Sequence, residues 1–353
     1  MLLQVQQVSP RSKSFRTTIL AASLALCFLV YQAWNHQDRI ADELSEHLRI
    51  PSGYSLGSLG SLGGAGDRPE PTAEEVQPAA DEGIPKKIWY KLGPKGKSPE
   101  IEEWTQSCIR QNPTYRYEFF SDPSADYWVE KTFSATRPDI VEAYLSLTVP
   151  ILKADLLRYL LLYVEGGMWS DLDVSCEGIP IDQWIPEEHR NETSLLVGWE
   201  FDAGWSWEYT HEFASWTMLS KPGSPHMLMV IDDIMDSIHQ STAEANVTIA
   251  GLTMEIVGDI VDYTGPRRMT RSIVKSLGLI RGRPVERDEI ENIREPVRVL
   301  DVTILPGYAF ANQTNKFDEA DGPIGETLLT HHYAGTWKNE NGGELARRQP
   351  LRI

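Results

Sequence analysis

Residues 148–177 read TVPILKADLLRYLLLYVEGGMWSDLDVSCE. The spacing predicts a buried helix, a glycine turn and a strand. Pro150 suits the first helical turn, where its missing N–H is not needed. Leu152, Leu156, Tyr159, Leu160 and Tyr163 form one apolar stripe, and Leu157 and Leu161 cover much of the opposite side. A helix apolar nearly all round is a buried one. Asp155 and Arg158 sit on it nonetheless, three residues apart and so on one face. Burying both carries a desolvation cost, which points the pair at a pocket rather than at solvent. Gly166 and Gly167 stop the helix and permit positive φ. Residues 168–174 then read as a strand, which puts Asp171 and Asp173 on one face and turns Leu172 into the core.

Two carboxylates side by side repel each other unless a cation lies between them. Manganese or magnesium is the natural partner, because a hard divalent ion bridges onward to phosphate oxygens. A bare D-x-D also occurs in solvated turns. D-x-x-R on an apolar helix, then G-G, then D-x-D on a strand is far more specific.

The 353 residues suffice for one large α/β domain or two small ones. A net charge of −18 argues against nucleic-acid binding, since a phosphate backbone would be repelled. Of three cysteines, Cys27 lies in an apolar run; Cys108 and Cys176 would pair only in an oxidising compartment, and spacing does not place them together.

Residues 1–16 carry Arg11, Lys13 and Arg16 and no acid, and read as a cytosolic tail. Residues 17–34 are apolar, and as a helix span about 27 Å, near the thickness of a hydrocarbon core. The basic flank precedes this run and acids follow it, so the reading is a type II signal anchor with the bulk of the chain lumenal. The alternative is a cleaved signal peptide. Residues 35–83, with SLGSLGSLGGAG and an acidic stretch, have the composition of a flexible stem. Residues 84–353 form the globular domain.

Within that domain, strands are predicted at 86–90, 115–120, 168–174, 194–200, 298–305 and 327–333. Helices are predicted at 101–110, 125–132, 138–147, from 150, at 213–219, 225–240 and 250–262. Strands alternating with helices imply a mainly parallel sheet covered on both faces. Ligands of such sheets bind at the carboxyl ends of strands, where Trp89, Asp122, Asp171 and Glu200 are expected. Sequons at Asn191, Asn246 and Asn312 favour a secretory-pathway protein.

The stretch LKADLLRYLLLYVEGGMWSDLDV resembles the fungal initiation-specific α-1,6-mannosyltransferases, a glycosyltransferase family with a DXD sugar-binding region. IPKKIW from Ile84, NPTYRYEFF from Asn112, WTMLSKPGSPH from Trp216, TGP from Thr264 and HHYAGTWK from His331 follow in the family's order. The resemblance covers about residues 84–340. It implies a GT-A-type, Rossmann-like α/β fold and a Golgi type II membrane enzyme. It also implies GDP-mannose as donor, a divalent cation, an N-glycan or mannan acceptor, and association with other mannosyltransferases in a Golgi complex.

By that resemblance Asp171 and Asp173 hold the cation, with Asp173 the direct ligand, and Asp155 and Arg158 contact the donor sugar. HYAGTWK is similar to the H-[FY]-x-G-x-x-K element of retaining GT-A transferases. This makes His332 a metal ligand, Gly335 a point of close backbone approach and Lys338 a diphosphate contact. His331 and His332 face opposite ways on a strand, so at most one enters the site. Trp89 is expected to stack on the nucleotide base, and Glu200 and Asp202 to line the sugar or acceptor site. Retention needs no glycosidase-like pair of carboxylates, because the leaving diphosphate can take the acceptor proton on the same face. Two other readings keep the fold: a mannosyltransferase acting on inositol phosphorylceramide, and a carbohydrate-binding pseudoenzyme.

Overall fold

The computed structural model describes residues 83–206, 211–318, 320 and 322–334. The predicted tail, anchor and stem, and Gly335 and Lys338, lie outside the described residues. Among the described residues no helix is long and apolar enough to cross a membrane.

The chain order begins β1 (Lys87–Lys91), α1 (Pro99–Gln111), β2 (Arg116–Phe120), α2 (Asp122–Phe133), α3 (Pro138–Ser146), α4 (Pro150–Val164), β3 (Gly167–Ser170), β4 (Val174–Cys176) and α5 (Glu187–Arg190). It continues β5 (Leu195–Phe201), β6 (Glu212–Phe213), β7 (Thr217–Ser220), α6 (Pro225–Ala245), α7 (Met254–Val257), α8 (Ile260–Tyr263) and α9 (Pro266–Arg281). The last described elements are α10 (Arg287–Ile290), β8 (Val297–Val299), β9 (Val302–Leu305), α11 (Gly307–Ala311) and β10 (Leu329–His331). The main sheet has the order β2-β1-β3-β7-β5-β9-β8, with β6 on β5. Strands β1, β2, β3, β5 and β9 run one way, and β6, β7 and β8 run against them. This is a mixed α/β arrangement around an eight-stranded sheet in which five strands run one way.

Alternation along the strands divides the core between the two faces. Trp89, Trp169, Leu195 and Val197 join the cluster that includes Leu156, Met227 and Ile273 from α4, α6 and α9. Ile88, Met168 and Leu196 join the other, with Cys108, Trp184 and Phe310. The central strands β3, β5 and β7 are therefore buried along almost their whole length. At the glycine turn, Gly166 and Gly167 have φ of 65° and 94°, and a Cβ on Gly167 would meet the Lys87 carbonyl at 2.7 Å.

Four sequence expectations are corrected. Residues 168–174 are not one strand: β3 stops at Ser170, and β4 leaves to pair antiparallel with β10. Residues 171–173 form the turn between them, held by Asp171 N–H donating to the Trp216 carbonyl at 2.8 Å. Residues 213–219 are not a helix but β6 and β7. Every residue from 211 to 220 is buried, and a short run covered on both faces has no periodicity to distinguish strand from helix. Residues 298–305 form a β8–β9 hairpin, turning at Leu300 with φ 52°. Residues 250–262 are broken into α7 and α8 by Gly258 at φ 72°, with Thr253 and Asp259 capping the two pieces. Helix α9 has no counterpart among the sequence expectations, although Met269, Ile273 and Leu277 recur at i, i+4 and i+8 on its buried face.

Cys108 and Cys176 are joined by a disulfide that ties α1 to β4 across 68 residues. Reduction, or Cys108→Ser, is expected to lower stability by about 2–5 kcal/mol, read by denaturant unfolding with and without reductant.

Candidate active site

The carboxyl edge of the sheet gathers the site. Asp171 follows β3, Glu200 is the penultimate residue of β5, and Trp216 leads into β7, which enters from the same edge because it runs the opposite way. Helix α4 lies beneath and supplies Asp155 and Arg158, which are 3% and 5% exposed. Arg158 forks between two carboxylates, at 2.9 Å from Asp155 Oδ1 and 3.2 Å from Asp171 Oδ1. Trp169 Nε1 donates to the same Asp171 oxygen at 2.7 Å, and Thr264 Oγ1 donates to Asp155 Oδ2 at 2.7 Å. Burial raises the pKa of Asp155 and of Asp171, with Arg158 pulling against it in both. Burial also opposes the Arg158 charge, but Asp171 and Asp155 outweigh it and hold the guanidinium protonated.

Asp173 is wrapped by the segment after β10. Its Oδ2 accepts from Ala334 N–H at 2.9 Å, and its carbonyl from His332 N–H at 2.8 Å. Its Oδ1 lies 3.4 Å from His331 Nε2. Burial pushes the Asp173 carboxyl up, but the His331 imidazole and the Ala334 N–H prevail and hold it below the usual carboxylate range.

The histidine facing Asp173 is therefore His331, not the expected His332. His332 Nε2 lies 2.9 Å from Ser175 Oγ, and its ring stacks on Trp104 at 4.2 Å. The register decides this, because His331 pairs with Val174, and its ring stacks on Trp216 with the Tyr333 ring tilted beside it. Sequence shows two adjacent histidines and not which one turns inward.

Trp89 is also corrected. It is 1% exposed, its Nε1 donates to the Gly166 carbonyl at 2.7 Å, and Lys87 Nζ lies 3.5 Å from its ring centroid. It latches the glycine turn and has no face open for a base. Asp202 is fully buried, with Oδ1 accepting from Asn292 N–H at 2.8 Å and lying 3.0 Å from His211 Nδ1; it pins a loop rather than lining a pocket.

Glu200 does face the cluster. It is 6% exposed, and Tyr333 Oη donates to it at 3.2 Å. Burial raises its pKa to about 7, against the pull of His331. A raised pKa means that the folded state binds the proton more tightly than the unfolded chain does. The stabilisation is thus complete below about 4.5 and is lost as pH rises through about 7. Relative to Glu200→Gln, the wild type is expected to lose about 1–3 kcal/mol across that window, read by unfolding at several pH values. Beside Tyr333 opens a shallow recess of about 100 Å³ whose walls include Gln313, Thr327, Thr330 and Tyr333 along with Phe310 and Leu329.

Two carboxylates and an imidazole at one turn suit a hard divalent cation. Among the described residues no three acidic, histidine or cysteine side chains converge as a closed ligand set. Asp171 and Asp173, with His331 beside Asp173, are the residues that would hold such an ion.

The D-x-D turn and the buried D-x-x-R helix thus meet at the carboxyl edge of the sheet. The family described as "Glycosyltransferase sugar-binding region containing DXD motif" matches residues 98–191. The initiation-specific α-1,6-mannosyltransferase of Schizosaccharomyces pombe is 30% identical over 286 residues, covering 77% of this chain and 68% of that protein. That of Candida albicans is 28% identical over 292 residues, covering 74% of each. The inositol phosphoceramide mannosyltransferase 3 of Schizosaccharomyces pombe is 36% identical over only 84 residues, 23% of this chain and 22% of that protein. The chain belongs to the initiation-specific α-1,6-mannosyltransferase family of glycosyltransferases.

Proposed function

We propose that the protein is a retaining α-mannosyltransferase that transfers mannose from GDP-mannose to N-glycan or mannan acceptors. The observation that carries this reading is the Asp171–Asp173 turn, braced by Arg158 and faced by His331, in a chain of this family. Asp171 and Asp173 would hold manganese or magnesium, with His331 as the nearest imidazole. The ion would supply Lewis-acid neutralisation of the departing diphosphate.

The chain's own residues orient the reactants. Asp155 and Arg158 border the donor sugar, and Arg158 also fixes Asp171. Gly335 and Lys338 are proposed at the diphosphate. The recess beside Tyr333 takes the acceptor sugar, because its amides and hydroxyls offer neutral hydrogen-bond partners to a polyol. Positioning and charge stabilisation then carry the rate, with no protein base required.

A Golgi location, with residues 17–34 as a type II anchor, belongs to the same proposal. The Cys108–Cys176 disulfide supports an oxidising compartment. The exposed sequon asparagines Asn191 and Asn246 support it as well. The short similarity to an inositol phosphoceramide mannosyltransferase favours a second acceptor class, a glycolipid headgroup.

The test is the anomeric proton resonance of the product made from GDP-mannose and an α-mannoside, with inositol phosphorylceramide offered as acceptor in parallel. An α-linked product is expected. A β-linked product overturns retention, and product formed only on inositol phosphorylceramide transfers the reading to the lipid acceptor.

A further inference from the structure

Thr264 lies outside the active-site turn, at the junction of α8 and α9, yet its side chain reaches the site through two buried charges. It is fully buried. Its N–H donates to the Ile260 carbonyl at 3.0 Å, and its carbonyl accepts from Tyr159 Oη at 3.0 Å. Its Oγ1 donates to Asp155 Oδ2 at 2.7 Å. Asp155 Oδ1 holds Arg158, and Arg158 holds Asp171. The next two residues fix this geometry. A Cβ at Gly265 would meet Val261 Cα at 2.9 Å, and Pro266 starts α9. Thr-Gly-Pro thus reads as a donor, a close contact and a helix start.

We propose that Thr264 is a positioning residue for the nucleotide-sugar site, acting through Asp155 and Arg158 on the carboxylate of Asp171. The inference rests on the reading of Asp171 as part of the cation and diphosphate site. A buried carboxylate needs its oxygens satisfied. Without the threonine hydroxyl, Asp155 Oδ2 loses the donor that holds it. Arg158 is then drawn toward Asp155, and its hold on Asp171 slackens. The hydroxyl is the active element; the methyl group is packing.

The test titrates Mn²⁺ into the full chain with saturating GDP, and with UDP in parallel, following the free-ion electron paramagnetic resonance signal. Wild type, Thr264→Val and Thr264→Ser are compared, and the Tm of each is measured. Partners one layer removed from a metal typically change its affinity about 10–100-fold, so Thr264→Val is expected to bind about tenfold more weakly. Thr264→Ser, which keeps the donor, is expected to bind as wild type. If Thr264→Val does not fold, Thr264→Ala makes the same comparison. Wild-type affinity in the folded variant that lacks the hydroxyl, whatever its Tm, overturns the relay. A wild type that takes up no Mn²⁺ with either nucleotide overturns the reading of the site itself, and the relay with it.

Discussion

Asp173→Ala is expected to lower glycosyl transfer by about 10²–10³-fold, the scale seen when one preorganised electrostatic group is removed from an active site. The fold should barely register the change. The side chain makes one hydrogen bond to backbone, from Ala334 N–H, whose loss costs about 1 kcal/mol. Its His331 contact, at 3.4 Å, lies along the site rather than through the core. Asp173→Asn isolates the charge, since it keeps the size and an acceptor for Ala334. If the carboxylate faces a cation and a diphosphate, the asparagine variant fails nearly as badly as alanine. If Asp173 only anchors the segment after β10, asparagine restores most of the activity. Measuring kcat/KM and Tm on both variants separates the two.

Arg158→Ala is expected to damage stability and activity together. Removing one partner from a buried ion pair leaves an uncompensated charge and costs about 3–5 kcal/mol. Here two carboxylates, Asp155 and Asp171, lose the same partner. Arg158→Lys is no remedy, because an ammonium is a point charge and cannot fork between them. The informative variant is Asp155→Leu with Arg158→Met, which replaces that pair by apolar side chains. It should recover the part of the lost stability that comes from the stranded Asp155 charge, while Asp171 stays without its partner and transfer is not recovered. Full recovery of both would reduce the pair to a packing feature. Unfolding free energies and kcat/KM across the four proteins provide the check.

Much of this site is legible in the sequence, because its signals are local. The apolar helix carrying Asp155 and Arg158, the double-glycine turn and the D-x-D are neighbours in the chain. What sequence does not reveal depends on pairing between distant segments. Antiparallel β7 is inserted between β3 and β5, which makes residues 217–220 a fully buried strand with no amphipathic pattern. The inward turn of His331 follows from one step of β4–β10 register. Trp89 is expected at a ligand because the sequence puts it near a strand end, but it sits in the middle of β1 and its indole is spent on Gly166. Thr264 is invisible as a site residue until the fold brings α8 against α4, a separation of 109 positions from Asp155.

The most direct test of the central claim is nucleotide release from a panel of GDP- and UDP-sugars by the full chain, with an α-mannoside acceptor, with and without manganese. The account predicts GDP release from GDP-mannose that requires manganese and disappears in Asp173→Ala. Turnover of UDP-sugars alone would contradict the donor. No turnover of any donor by a chain that still binds mannan would contradict catalysis and leave a carbohydrate-binding protein.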